Sequence, residues 1–229
     1  FPYTTLFRSV AFGKFDRFVD DDAIGHVLKI GQFKSRHQQD RTFDRAQLGE
    51  LAVEVRLQRL FEEWSAYKQR RSGFFGKLLS RPKLPRGVSL WGSVGRGKSF
   101  LMDSFYLCVP LVRKRRVHFH HFMREIHREL SELKGVEDPI AAVAENTARR
   151  YRLICFDEFH VSDIADAMIL GRFLDRVMDL GVEFVMTSNY RPDRLYPNGL
   201  QRERFLPAIA LIKSRLDVIN VDGGRTAHL

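Results

Sequence analysis

Cysteine is scarce in this sequence, and long apolar runs and a secretory leader pattern are missing. The two cysteines, Cys108 and Cys155, each lie among apolar residues, so we expect buried free thiols in a reducing compartment and no disulfide. No run of about 18 apolar residues is present, which argues against a membrane-spanning helix. The opening FPYTTLFRSV shows no charged segment followed by a long apolar stretch, so we assign no signal peptide. It also lacks an initiator Met, and we interpret it as partly non-native.

Acidic residues are outnumbered by basic ones. The chain has 38 Lys and Arg against 28 Asp and Glu, a formal net charge of +10. Such an excess attracts nucleic acid, acidic lipid or an acidic protein over long distances. No compact basic tract alternates with aromatic residues that could stack on bases. We therefore favour the interpretation that the basic side chains lie on solvated helix faces, and nucleic-acid binding stays an alternative.

The chain divides into three segments. Residues 1–45 are poorly periodic and stay unassigned. Residues 46–87 form a predicted helix at 46–69 followed by a linker at 70–87, which holds six basic residues and no acid. Residues 88–229 form the predicted core domain. The helix at 46–69 carries apolar residues at helical spacing, and we expect them to pack: Val53, Leu57, Leu60, Phe61, Trp64 and Tyr67.

Short apolar runs alternate with helical patterns in the core. The strands are predicted at 88–91, 116–121, 152–156, 182–187 and 216–221, and the helices at 98–106, 122–133, 163–178 and 200–215. Such an alternation predicts an α/β fold, a five-stranded parallel sheet covered by helices on both faces. The predicted buried face of the helix at 163–178 comprises Ile164, Ala167, Met168, Gly171, Leu174, Val177 and Met178. That of the helix at 200–215 comprises Phe205, Ala208, Ile209 and Ile212.

A phosphate-binding loop is the most specific motif of the chain. SLWGSVGRGKSFLMDSFY, at 89–106, matches G-x-x-x-x-G-K-[ST] between a predicted strand and a predicted helix, which is the context this motif requires. Glycine lets backbone N–H groups approach phosphates and permits positive φ angles. The start of the helix adds unpaired N–H groups and a positive dipole end. The predicted phosphate-binding residues are Gly92, Ser93, Val94, Gly95, Arg96, Gly97, Lys98 and Ser99.

Two side chains of this loop have predicted individual roles. Lys98 is expected to place its charge on the β- and γ-phosphates of a nucleotide, and the Ser99 hydroxyl to bind Mg²⁺. The predicted cofactors are therefore ATP and Mg²⁺.

Two adjacent acids follow the third predicted strand, in the stretch YRLICFDEFHVSDIADA. Asp157, at the strand end, is predicted to reach the same Mg²⁺, and Glu158 to polarise an attacking water. Neighbouring side chains on a strand point to opposite sides, so the two acids can take separate roles. Asp163 and Asp166 are predicted to cap and charge the first turn of the next helix.

Three polar or basic residues near the fourth strand are further candidates. In EFVMTSNY, Asn189 can hold the attacking water or sense the γ-phosphate if its strand lies between the other two. In NGLQRERFLPAI, Arg202 or Arg204 can reach the γ-phosphate of a neighbouring subunit, since a planar guanidinium suits spread phosphate charge. The alternatives are a polar turn for Asn189 and an ion pair with Glu203 or Asp193 for the arginines.

A histidine cluster, HFHH, lies in the second predicted strand. Strand geometry would put His118 and His120 on one face and His121 on the other. Two histidines at this spacing can bind a metal, but no cysteine or third ligand is evident nearby. We therefore disfavour a metal site at this cluster.

The chain resembles the ZapE family of cell-division AAA+ ATPases, which has mitochondrial relatives. The resemblance covers about residues 46–222 and rests on LWGSVGRGKSFLMDSFY, RVHFHHFMREIHREL, LICFDEFHVSDIADAMIL, FVMTSNYRPDRLYPNGLQRERFLPAI and DVINVD. It implies a P-loop AAA+ core, ATP hydrolysis with Mg²⁺ and homo-oligomers. It also implies bacterial cytoplasm, the division site, and the tubulin-like FtsZ or other division-ring proteins as partners. Family members continue into a helical lid with a second sensor arginine, so we take the chain as C-terminally truncated.

The resemblance also assigns roles to residues. It implies phosphate binding by 92–99, metal binding by Ser99 and Asp157, catalysis by Glu158, a first sensor at Asn189 and an arginine finger at Arg202, with Arg204 second. The function expected is Mg²⁺-dependent ATP hydrolysis that remodels or regulates a protein partner. The alternatives are an AAA+ loader that acts on nucleic acid and a nucleotide-gated adaptor that does not hydrolyse ATP.

Overall fold

The computed structural model describes residues 45–72 and 83–222. The predictions for 1–44, for most of the linker and for the end of the chain lie outside the described residues. Within the described parts, no helix is both long and apolar enough to cross a membrane. Cys108 and Cys155 are free thiols, of which Cys155 is fully buried and Cys108 partly so.

Helices and strands alternate along the chain. The helices are α1 (Arg45–Ser72), α2 (Lys98–Cys108), α3 (Phe119–Glu132), α4 (Pro139–Arg150), α5 (Ile164–Asp179) and α6 (Leu206–Arg215). The strands are β1 (Val88–Trp91), β2 (Lys114–His118), β3 (Leu153–Asp157), β4 (Glu183–Ser188) and β5 (Asp217–Asn220). Two 3₁₀ turns, Pro192–Arg194 and Arg202–Phe205, precede α6.

The five strands form one parallel sheet in the order β2-β3-β4-β1-β5. Strand β4 lies between β3 and β1. This is the strand order that the predicted role of Asn189 requires. The α/β class and the five-stranded parallel sheet are confirmed. Because the carboxyl ends of all strands meet at one edge, the loop after β1 and the acids after β3 lie at the same end of the sheet.

Strand side chains alternate between two apolar layers. Leu153 and Cys155 pack with α1 and α2, while Ile154 and Phe156 pack with the helices of the opposite face. The predicted stripe of α1 is confirmed, since Val53, Leu57, Leu60 and Trp64 are buried and Phe61 and Tyr67 pack beside them. The predicted face of α6 is also confirmed: Phe205, Ala208, Ile209 and Ile212 are all buried.

Several sequence predictions are wrong. The second strand ends at His118, and His120 and His121 lie in α3, so the histidines do not share a strand. The helix predicted at 200–215 begins at Leu206, after the 3₁₀ turn. On α5, Met168 is exposed while Leu170 and Phe173 are buried. Helix α4 was not predicted, although Asp138 caps its N-terminus and Pro139 opens its first turn.

Basic side chains at the amino end of the sheet bind the carboxyl ends of helices. Arg152 Nη1 donates to Leu180 O (2.8 Å) and Gly181 O (3.1 Å) after α5. Arg86 Nη2 donates to Leu216 O (3.1 Å) after α6. Arg113 and Lys114 bind the last carbonyls of α4 and α2 in the same way. These four cations satisfy carbonyl groups that helix ends leave unpaired.

Candidate nucleotide-binding site

The predicted phosphate loop leaves β1 and enters α2 with an open outer surface. Gly95 (φ 80°) and Gly97 (φ 69°) take left-handed conformations that side chains disfavour. A Cβ atom built at either position would meet nothing within 4 Å, so the glycines serve backbone conformation and leave the loop uncovered. The residues from Ser93 to Gly97 are exposed, and Gly97 is the N-cap of α2. The loop therefore presents backbone N–H groups and a helix N-terminus at an accessible surface.

Lys98 folds back onto the base of this loop. Its ammonium group donates to Gly92 O and Ser93 O, both at 2.7 Å, and the residue is buried. Burial lowers the pKa of Lys98, while the negative charges of Asp222 and Asp157 act to raise it. The charge of Lys98 is thus influenced by two carboxylates from different parts of the chain.

The Asp157 carboxylate joins the loop to the two central strands. Its Oδ1 accepts hydrogen bonds from Ser99 Oγ (2.7 Å) and Thr187 Oγ1 (2.8 Å). The side chain is 4 % exposed. Burial by itself would raise the pKa of Asp157, but the hydrogen bonds from Ser99 and Thr187, with the charge of Arg116, hold it below its ordinary value. The structure thus brings together two motifs that lie 58 positions apart in the chain.

Two residues of β2 surround this carboxylate, and the sequence predictions missed both. Arg116 Nη2 donates to Asp157 Oδ2 (2.7 Å), and its Nε donates to Asp103 Oδ1 (2.7 Å). His118 Nδ1 lies 3.8 Å from Asp157 Oδ2 and 3.9 Å from Glu158 Oε2, buried and without a hydrogen-bond partner. Residue pairing in the sheet aligns His118 with Asp157, a relation that no local motif reveals.

Glu158 lies just beyond β3 and not within it. Its backbone is left-handed (φ 54°), and its amide donates to Thr187 Oγ1 (3.1 Å). The side chain is 69 % exposed, in contrast to the buried Asp157. The two acids differ in exposure. The cause is the left-handed turn after the strand, whereas the prediction had assumed that both acids lie on the strand and alternate between its faces.

The remaining candidates lie around the same end of the sheet. Asn189 is exposed and directly follows β4. Arg202, in the 3₁₀ turn, donates to Asp193 O (2.9 Å), while the Asp193 carboxylate pairs with Arg191 and Lys213. Arg204 is exposed in the same turn. The predicted cap Asp163 is confirmed, since its Oδ1 accepts from Ala165 N (2.6 Å), whereas Asp166 bonds His127 (2.7 Å).

The residues at the foot of the loop fit a magnesium ion. Ser99 Oγ and Asp157 Oδ1 are hard oxygen donors in contact, and Thr187 lies beside them. Magnesium in nucleotide sites takes one or two such protein oxygens together with phosphate and water. Arg116 pairs with the other oxygen of the Asp157 carboxylate at 2.7 Å, and Lys98 precedes Ser99 in the chain, so both cations belong to the same region.

Comparisons with known proteins identify the family of the chain. Residues 30–229 match the family model described as AFG1-like ATPase. The chain is 52 % identical over 139 residues to "Cell division protein ZapE" of Escherichia coli (strain K12), covering 61 % of the chain and 37 % of that protein. It is 44 % identical over 156 residues to "Lactation elevated protein 1 homolog B" of Danio rerio, covering 63 % of the chain and 31 % of that protein.

A solved structure described as the crystal structure of DnaI overlaps 67 % of this chain and 81 % of its own, at a TM-score of 0.45 and 18 % identity. The chain spans about a third of the length of the curated relatives it matches. The family model, by contrast, matches most of the chain. The chain therefore belongs to the AFG1-like ATPase family.

Proposed function

We propose that this chain binds ATP with Mg²⁺ at residues 92–99 and hydrolyses the γ-phosphate. The observation that carries the proposal is the 2.7 Å hydrogen bond between Ser99 Oγ and Asp157 Oδ1. It joins the phosphate loop to the acidic strand end, so that both motifs face one small volume. A glycine-rich turn without such a partner would support binding of an anion and nothing more.

Phosphate binding uses the exposed backbone of the loop and the first turn of α2. The left-handed Gly95 and Gly97 turn successive N–H groups toward the same side. Lys98 exchanges the carbonyls of Gly92 and Ser93 for phosphate oxygens. This exchange costs little, because one set of charge-assisted hydrogen bonds replaces another.

Ser99 and Asp157 are the residues that hold Mg²⁺ in this proposal. When bound, the ion would supply positive charge that offsets the charge developing on the phosphate oxygens. Asp157 remains ionised at neutral pH, because its hydrogen bonds and Arg116 hold its pKa low. Arg116 keeps the buried carboxylate paired through its 2.7 Å contact with Oδ2.

Glu158 orients and deprotonates the attacking water. Its left-handed backbone carries the carboxylate out of the buried strand, toward solvent at the carboxyl end of the sheet. Asn189 follows the neighbouring strand and supplies a second polar group to the same water. In this proposal Glu158 and Asn189 act on the attacking water, whereas Asp157 binds the metal ion.

An arginine from a second copy completes the site. We assign this role to Arg202, with Arg204 as the second choice, because a planar guanidinium stabilises the spread charge of a phosphoryl group. For Arg202 the role requires release of its 2.9 Å hydrogen bond to Asp193 O. Hydrolysis then depends on assembly into a homo-oligomer.

Hydrolysis drives a conformational step in a protein partner at the division site, in the bacterial cytoplasm. The printed name of the E. coli relative, a cell division protein, supports this part of the proposal. The partner is a division-ring component such as the tubulin-like FtsZ, as the family resemblance implies.

Steady-state phosphate release by the 229-residue chain tests the enzymatic proposal. We expect Mg²⁺-dependent release from ATP, with a rate per subunit that rises with protein concentration because the arginine acts in trans. A rate per subunit that stays constant would contradict the trans arginine. Tight nucleotide binding without any turnover in the full-length protein would contradict hydrolysis and favour the nucleotide-gated adaptor.

A further inference from the structure

We propose that Asp222 is a positioning residue that holds the phosphate loop in its binding conformation. This inference rests on the proposed function, since it concerns the same loop. Asp222 lies two residues after β5, the edge strand that pairs with β1. It lies 129 positions after Ser93 in the chain and contacts the loop from the side of the sheet edge.

The contacts of Asp222 fix both the backbone and the side chains of the loop. Its Oδ2 accepts the Ser93 amide (2.8 Å) and the Ser93 hydroxyl (2.9 Å). Its Oδ1 lies 3.1 Å from Arg96 Nε. The Asp222 amide in turn donates to Asn220 Oδ1 (2.9 Å), and Val221 N donates to Trp91 O (2.9 Å). The carboxylate is therefore itself held in place.

Gly92 leaves room for this carboxylate. A Cβ atom at Gly92 would lie 3.1 Å from Asp222 Oδ2, tighter than ordinary contact. At Gly95 and Gly97, by contrast, a Cβ would meet nothing within 4 Å. Asp222 thus occupies the base of the loop and leaves its outer part, where phosphates bind, uncovered. The carboxylate occupies the Ser93 amide and so shapes the first part of the loop, which leaves phosphate binding to the N–H groups that follow.

Two effects of Asp222 on nucleotide binding have opposite signs. Its negative charge repels phosphate, whereas its hydrogen bonds order a loop that would otherwise lose conformational entropy on binding. Arg96 lies beside the carboxylate and Ser93 donates to it twice, so much of its charge is compensated locally. The same carboxylate also favours the charged form of Lys98 against the effect of burial. We therefore infer that ordering prevails and that Asp222 strengthens binding.

Titration of the chain with a fluorescent ADP analogue in the presence of Mg²⁺ tests the inference. Asp222→Ala is expected to raise the Kd about tenfold, the loss typical of charge-assisted hydrogen bonds. Asp222→Asn is expected to stay within about threefold, because its amide oxygen still accepts from Ser93. The matched control is Asp179→Ala, which removes an exposed carboxylate paired with Arg215 and leaves the Kd unchanged. An unchanged or lower Kd for Asp222→Ala would overturn the inference.

Amide hydrogen exchange of the nucleotide-free chain gives a second readout that a loss of global stability does not mimic. Peptides covering 92–97 are expected to exchange faster in Asp222→Ala than in the parent and in Asp179→Ala. Equal exchange in all three would overturn the inference. If Asp222→Ala does not fold, Asp222→Asn and Ser93→Ala, which loses the hydroxyl contact, are measured in its place. The inference is rejected if both variants have the Kd and the exchange rates of the parent.

These outcomes separate the inference from the proposed function. A parent chain that binds no nucleotide removes the proposed function itself. A parent that binds nucleotide while Asp222→Ala binds equally well removes the role of Asp222 and leaves the proposed function intact.

Discussion

The two ends of the parallel sheet use charge in opposite ways. At the carboxyl end, where α2 begins, Asp157 ends β3, Glu158 follows it, and Asp222 lies two residues after β5. At the amino end, Arg86 and Arg152 bind the carbonyls that follow α6 and α5. Both arrangements complement the partial charges at helix ends, which are positive at the N-terminus and negative at the C-terminus. The carboxyl end of the sheet is open to a ligand, whereas Arg86 and Arg152 at the amino end already donate hydrogen bonds to backbone carbonyls.

This difference teaches how to interpret the net charge of +10. Arg86 belongs to the basic linker of the sequence analysis, yet it pairs with Asp217 and with backbone carbonyls. Arg113, Lys114 and Arg152 likewise donate hydrogen bonds to carbonyls at the carboxyl ends of helices. Arg86 and Arg113 stay exposed, as expected for solvated basic residues, but all four side chains also donate hydrogen bonds to backbone carbonyls of the chain. Part of the positive charge is therefore structural.

The largest expected effect belongs to Glu158 at the carboxyl end. Glu158→Gln keeps the shape and removes the base, so we expect kcat to fall by roughly 10³-fold. The Kd for ATP should change by less than about threefold, since the side chain lies outside the phosphate loop. Single-turnover phosphate release and an equilibrium titration measure the two quantities. A variant that hydrolyses ATP like the parent would exclude Glu158 as the base.

Lys98→Ala removes the buried cation of the carboxyl end. We expect the Kd for ATP to rise by about 100-fold or more, because a charge-assisted contact in a partly desolvated site is lost. The midpoint of thermal unfolding should stay level or rise, since burial of the ammonium opposes folding. Calorimetric titration and a thermal scan of the same sample test both statements. Retained affinity would remove Lys98 from the phosphate site.

Glu183 at the amino end makes stability depend on pH. Burial raises its pKa to about 7, from an ordinary value of 4.5, although Gly87 N donates to its Oε2 at 3.2 Å. The folded chain therefore keeps this proton to higher pH than the unfolded chain. The free energy of unfolding should fall as pH rises from about 4.5 to about 7, by roughly 2 kcal/mol or more.

Glu183→Gln should flatten this dependence and stabilise the protein at pH 8, since the neutral amide still accepts from Gly87. Denaturant unfolding at pH 5, 6, 7 and 8 measures the slope. The matched control is Glu145→Gln, at an exposed pair with Arg176, which should leave the slope unchanged. The same slope in Glu183→Gln and the parent would show that another group causes it.

Arg152→Ala gives the smallest expected effect, and it should appear in stability alone. Loss of its hydrogen bonds to Leu180 O and Gly181 O should lower the free energy of unfolding by about 1–2 kcal/mol. The Kd for ATP should stay unchanged, in contrast to Lys98→Ala, which also removes one cation. Chemical denaturation and titration of both variants compare the two ends directly. A higher Kd for ATP in Arg152→Ala would contradict the distinction between the two ends of the sheet.

Local patterns predicted most of the fold, and the reasons are physical. The first strand was predicted to the residue, because 88–91 is a short apolar run that ends at a glycine-rich turn. The buried strands β1, β3 and β4 give apolar runs that the sequence shows directly. The half-buried β2, KRRVH, was found only through its last three residues. The second strand was extended into α3 because Phe119 continues the apolar alternation and no capping side chain marks the start of the helix. For α4, the Asp138-Pro139 start signal was present in the sequence but unused.

Contacts between distant residues could not be predicted from the sequence. Arg116 lies 41 positions before Asp157, and Ser93 lies 129 positions before Asp222. Each contact depends on which strands become neighbours in the sheet. His118 reaches Asp157 and Glu158 only because β2 pairs with β3 in the observed register. The loop motif predicts the phosphate-binding residues from the sequence alone. Which other residues surround the loop depends on the order of the strands in the sheet.

Amide hydrogen exchange with and without Mg²⁺ and a slowly hydrolysed ATP analogue tests the central claim most directly. That claim is that the nucleotide binds at the carboxyl end of the sheet, between the loop at 92–99 and the acids after β3. The account predicts slower exchange in peptides covering 92–99 and 156–159, and no change at 84–87 or 150–153. Unchanged exchange at 92–99 in a chain that binds the nucleotide, or protection confined to the amino end, would contradict it.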